Sequence, residues 1–81
     1  MENKDIKVGQ IYQQGNNEVC VVTQVSDNIF GRKWFSIVYR DGYALTYDES
    51  EENKDFIFYK KIAEYPTWQE AVNSKEFRKE G

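Results

Sequence analysis

The sequence predicts a mainly β domain with a short C-terminal helix, and three observations carry that expectation. Short runs rich in valine, isoleucine, tyrosine, phenylalanine and tryptophan recur between clusters of Gly, Asn, Asp and Ser. Asp41-Gly42 stands between two such runs, which is a short-range hairpin signal. Only after Pro66 does the apolar spacing change from two to three or four, behind a Thr67 and a Glu70 placed as in a capping box.

Each element follows from its residues. In residues 8–13 Val8, Gln10 and Tyr12 face one side of a first strand and Ile11 the other. Gly15, Asn16 and Asn17, which tolerate positive φ, then reverse the chain. In EVCVVTQV (residues 18–25) Val19, Val21 and Val25 line one face and Cys20 and Val22 the other, so this strand is covered on both sides and belongs at the centre of the sheet. Ser26, Asp27 and Asn28 form a turn, and KWFSIVYR (residues 33–40) is the next strand. Asp41 and Gly42 are expected in a type I′ turn, both at φ > 0, leading into YALTYD (residues 43–48).

After an acidic stretch, DFIFYKKI (residues 55–62) reads as a fifth strand, Phe56 and Phe58 on one face and Ile57 and Tyr59 on the other. A helix starts at about residue 67 with Trp68, Ala71 and Val72 on one face. Phe77 would fall about 180° from Trp68 on a continuous helix at ~100° per residue. The helix therefore breaks near Asn73 and Ser74, with Asn73 left-handed and Ser74 capping a further turn. Five short antiparallel strands suit a small SH3-like or OB-like barrel closed by the C-terminal helix, with an open sheet bearing the helix on one face as the alternative. Residues 1–6 read as a flexible N-terminus and residues 7–81 as one domain.

Composition bounds the function. The 81 residues carry a net charge of −3, 40% apolar and 16% aromatic residues, one cysteine and no histidine. A lone Cys20 forms no internal disulfide, and without histidine the familiar Cys/His zinc sites and Ser-His-Asp triads have no members. No apolar run approaches the ~20 residues of a spanning helix, and the polar start MENKD lacks the regions of a signal peptide, so a cytoplasmic protein without membrane contact is expected. Neither a cofactor nor enzymatic activity is expected. No nucleophile–base pair is legible, and a thiol within an apolar strand is ordinarily buried and inert.

Two charged groups are candidate interaction sites. The acidic run offers Asp48, Glu49, Glu51, Glu52 and Asp55 to a basic protein partner, imitating the charge of a phosphate backbone. Its spacing does not suit calcium, because the sixth and twelfth positions counted from Asp48 are Asn53 and Tyr59. Phe30, Gly31, Arg32, Lys33, Trp34 and Phe35, with Arg40 on the same strand, combine cations with stacking surfaces. That makes Arg32, Lys33, Trp34 and Arg40 the alternative, a nucleic-acid-binding face that Lys60 and Lys61 would extend. Tyr12, Tyr39, Tyr43 and Tyr47 offer an aromatic pocket for a peptide or small ligand if they do not merely pair across strands.

The run AEYPTWQEAVNSKEF (residues 63–77) resembles the ending of small accessory proteins encoded by phages and prophages of Gram-positive bacteria, and VGQIYQ (residues 8–13) is similar to their opening. The resemblance covers the two ends of the chain and transfers no catalytic or binding residue. It implies a role in the host cytoplasm, where small acidic phage proteins bind host enzymes. The resulting expectation is a non-enzymatic protein-binding module, possible targets being a host nucleic-acid enzyme or defence factor. A small nucleic-acid-binding barrel and a self-associating structural or assembly subunit of a phage are the alternatives.

Overall fold

The computed structural model describes residues 6–27, 33–48 and 54–78. In chain order they form β1 (Gln10–Gln13), β2 (Val19–Asp27), β3 (Lys33–Tyr39), β4 (Ala44–Asp48), a one-turn helix α1 (Lys54–Ile57), β5 (Lys60–Glu64), α2 (Trp68–Val72) and α3 (Lys75–Arg78). The strands make one antiparallel sheet in the order β4-β3-β2-β1-β5. β2 is central, as its two-sided apolar pattern requires. β4 and β5 are the outer strands and do not pair with each other, so the sheet is unclosed among the described residues.

The two faces carry separate cores. On one, Tyr12, Cys20, Val22, Phe35 and Ile37 are covered by Ile57 and Phe58 from the α1 region and by Ile6. Ile6 is only 8% exposed, so the packed part of the chain includes a residue that the sequence assigned to the tail. On the other face, Ile11, Val19 and Val21 lie under Ala71 of α2 and Phe77 of α3.

Five local expectations are corrected by the fold. Val25 packs with the Cys20 and Val22 face rather than with Val19 and Val21, because Thr23 is an extra residue between the pairs Val22–Ile37 and Gln24–Ser36 and reverses the alternation. Residues 54–57 are helical and the fifth strand starts only at Lys60. A strand would send Ile57 and Phe58 to opposite faces. A helical turn lets both enter one core, leaving Phe56 and Tyr59 outside.

The β3–β4 turn is not type I′, since Gly42 has φ 92° while Asp41 keeps a negative φ. Gly42 N–H donates to Tyr39 O and Tyr39 N–H to Tyr43 O, which closes a three-residue loop with its left-handed residue last. The β1–β2 turn repeats the pattern. Asn17, at φ 73°, donates its N–H to Gln14 O, and Gln14 N–H donates to Glu18 O.

At the C-terminus Thr67 caps α2, its hydroxyl accepting from Glu70 N–H at 3.1 Å. The predicted break occurs at Asn73 and Ser74, although Asn73 sits at φ −96°, ψ 1° and is not left-handed. Ser74 Oγ donates to Ala71 O (2.6 Å) and accepts from Phe77 N–H (3.3 Å), restarting the chain as α3. Phe77 thereby reaches the core, whereas Trp68, expected on the apolar face, remains 38% exposed.

Candidate functional site

Three connections meet at one end of the sheet. Gln13 pairs with Val19 and with Lys60, Cys20 with Tyr39, and Val38 with Ala44. The β1–β2 turn, the β3–β4 turn and the start of β5 are therefore neighbours. Of the four exposed large hydrophobic residues among the described ones, Tyr43, Phe56 and Tyr59 belong to this end, and only Trp68 lies elsewhere.

Gln14 organises the surface from beneath. It is 3% exposed, and its Nε2 donates to the Tyr39 hydroxyl at 2.7 Å and approaches Cys20 Sγ at 3.9 Å. Tyr43 stacks on Tyr39 with ring centroids 6.1 Å apart and planes 23° from parallel. Tyr47 joins them from β4. Its hydroxyl is pushed above the usual tyrosine range by burial, and further by the Tyr39 phenol. Beside Gln14, Gly15 N–H donates to Phe56 O at 2.9 Å, and a Cβ on Gly15 would stand 2.4 Å from Phe56 Cδ1. The absence of a side chain there is what lets the phenylalanine ring lie over the β1–β2 turn.

Of the four tyrosines proposed as a pocket, three are thus brought together around Tyr39. Tyr12 is not among them. It is 3% exposed, donates its hydroxyl to Gln10 Oε1 at 2.9 Å and meets Phe58 edge-on. Sequence reasoning missed Gln14, Phe56 and Tyr59 as parts of this surface. The available signal was the run FIFY, in which four consecutive large apolar residues cannot all be buried by one helical turn.

Two residues of the predicted acidic site are described. Asp48 is 8% exposed at the end of β4, opposite Trp34, and Asp55 is exposed in the first turn of α1. Glu49, Glu51 and Glu52 lie outside the described residues, as does Arg32 of the cationic site. The rest of that cationic site does not assemble. Lys33 and Arg40 flank opposite ends of β3, about 23 Å apart at ~3.3 Å per residue. Trp34 is half-buried, and Arg40 is engaged inside the molecule, its Nε donating to Phe77 O and its Nη2 to Glu76 O at 3.1 Å. A guanidinium on the last carbonyls of a short helix satisfies acceptors that the helix leaves open. This places Arg40 as an anchor of α3 and not as a free phosphate ligand.

Chemically the site offers ring faces, hydroxyls and exposed carboxylates. Cys20 supplies no nucleophile here, because burial pushes its thiol from the ordinary 9.0 up to about 12 despite the contact from Gln14. A thiol-alkylating reagent at pH 8 is expected to leave the native protein essentially unmodified and to label one thiol per chain in denaturant. Native labelling as fast as the denatured rate would show that Cys20 is accessible. The same shift fixes a sign for stability. The folded state holds this proton up to about pH 12, whereas the unfolded chain releases it near 9.0, so this contribution is complete below pH 9 and is lost as pH rises towards 12.

Among the described residues no group of three or more His, Cys, Asp or Glu could hold a metal ion, and no helix is long and apolar enough to cross a membrane. No protein-family model, curated protein or solved structure matches the chain.

Proposed function

We propose that this chain is a non-enzymatic protein-binding module whose binding surface is the sheet end around Gln14, Tyr39, Tyr43 and Phe56. The observation that carries the reading is the gathering of Tyr43, Phe56 and Tyr59 at that end. Aromatic side chains supply large contact area at low conformational cost, and they are enriched at interfaces. The acidic stretch leads into the same surface, since Asp55 directly precedes Phe56. Asp55 is its charged flank in this reading, Glu49, Glu51 and Glu52 are further acidic contacts proposed from the sequence alone, and Asp48 is left out because it is buried. The setting is the one the sequence resemblance implies, a phage or prophage accessory protein acting on a host enzyme or defence factor in a Gram-positive cytoplasm. For the fold we favour the SH3-like over the OB-like form. A meander whose fifth strand returns beside the first needs no Greek-key connection.

The test is to tag the protein, pull it down from a Gram-positive host lysate with and without nuclease, and repeat the capture with a Tyr43→Ala/Phe56→Ala variant verified as folded by its thermal transition. A stoichiometric protein partner that survives nuclease and is lost with the variant is the expected result. A nuclease-sensitive catch would transfer the function to nucleic acid. An empty one, with a concentration-dependent oligomer in sedimentation, would assign the surface to self-assembly.

A further inference from the structure

Resting on that reading, we infer that the element recognised on the partner is an extended segment bearing arginine, with its guanidinium stacked on Tyr43 and paired with Asp41. Tyr43 is 58% exposed and has one ring face against Tyr39, so the opposite face is the one presented outward among the described residues. Tyr39 is itself held by the buried Gln14, so this is a braced ring and not a loose one. The exposed Asp41 lies two residues before it in the same turn. Its Oδ1 accepts from Tyr43 N–H at 3.0 Å, which ties the carboxylate to the main chain of the residue that bears the ring and leaves the second oxygen for a donor.

A planar cation that stacks on an aromatic face while its edge donates to a carboxylate is a guanidinium. An ammonium, being a compact and strongly hydrated charge, satisfies only the second contact well. The neighbouring charge is of the complementary sign. Glu18 in the β1–β2 turn and Asp55 ahead of Phe56 are exposed at the same end, against Lys60 at the start of β5. The charge of Arg40, in the same turn as Asp41, is directed to the carbonyls of Glu76 and Phe77. Tyr39, Gln14 and Gly15 join Tyr43 to Phe56 through successive contacts, so a second exposed ring stands at the same end of the sheet for the segment to meet.

The experiment titrates the full chain against fluorescently labelled Arg-Gly repeat peptides, their citrulline and lysine counterparts, and a proline-rich peptide, read by fluorescence anisotropy at physiological salt. The arginine peptide is expected to bind most tightly. Tyr43→Ala should weaken it about threefold to thirtyfold and Tyr43→Phe much less, in line with the known range of cation–π contacts. Asp41→Asn keeps an oxygen for the Tyr43 amide and so preserves the turn, and it should also weaken the arginine peptide. Glu70→Gln, on the remote α2, should not. Equal binding of the arginine and citrulline peptides, or equal losses for Asp41→Asn and Glu70→Gln, would overturn the inference. If those results came with a lysate partner still lost in the Tyr43→Ala/Phe56→Ala variant, the protein-binding reading would stand and only the arginine assignment would fall.

Discussion

Replacing Phe58 with alanine is expected to remove about 3–5 kcal/mol of stability, the cost of emptying a buried phenylalanine site. Phe58 is 1% exposed. It meets Tyr12 edge-on at a centroid separation of 5.2 Å and Phe35 at 5.6 Å, so one ring joins β1, β3 and the end of the α1 turn. A domain of this length holds about 4–12 kcal/mol in total, at ~0.05–0.15 kcal/mol per residue. The loss is therefore a large share of the whole. Thermal and urea unfolding check it, with a fall in Tm of at least about 12 °C, taking ~4 °C per kcal/mol as the lower bound. Phe58→Leu keeps most of the volume and should lose distinctly less. A shift of only a few degrees for Phe58→Ala would mean that the α1 turn contributes little to this face.

The second large effect belongs to Gly9. Its φ is 94°, its N–H donates to Val22 O at 2.9 Å and its O accepts from Tyr65 N–H at 3.0 Å, so it ties the start of the chain to β2 and to the link between β5 and α2. A Cβ there would stand 2.2 Å from Tyr65 O and 3.1 Å from Tyr65 C, both main-chain atoms that cannot rotate away. Gly9→Ala therefore adds a backbone clash to the about 1–2 kcal/mol of left-handed strain that an L side chain meets. Gly42 provides the comparison. Its φ is 92°, but among the described residues beyond its chain neighbours no atom lies within 4 Å of where a Cβ would stand, so Gly42→Ala should show the strain alone. Urea titration of the two variants is expected to place Gly9→Ala well below Gly42→Ala. Equal losses would show that the approach of Tyr65 relaxes without cost.

These two positions also mark the boundary between local and tertiary information. Gly9 is just another glycine in the sequence, since what makes it irreplaceable is a carbonyl more than fifty residues away in the chain. The two hairpin turns are different. That Gly15, Asn16 and Asn17, and again Asp41 and Gly42, would supply positive φ was legible because backbone sterics are local, but the loop length was not, nor that only Asn17 and Gly42 of these would adopt it. In the candidate site, Tyr12, Tyr39, Tyr43 and Tyr47 could be singled out as a tyrosine set, but that Tyr12 would be buried away from the other three could not. That a buried Gln14 would organise them, or that Phe56 would lie on Gly15, depends on which strands become neighbours. Arg40 shows the same limit from the other side. In the sequence it stands with Lys33 and Trp34, and in the fold it belongs to α3.

By itself the sequence determined the mainly β class, the central place of the valine-rich strand, the Thr67 cap and the break that returns Phe77 to the core. Each is written in residue spacing or in the chemistry of a single position. Only the tertiary structure decided that the Thr23 bulge sends Val25 to the other face, that residues 54–57 coil instead of extending, and that three exposed rings share one end of the sheet. The reason is physical. Alternation and propensity describe how a segment presents its side chains, whereas the face that is buried is fixed by the surface that comes to lie against it.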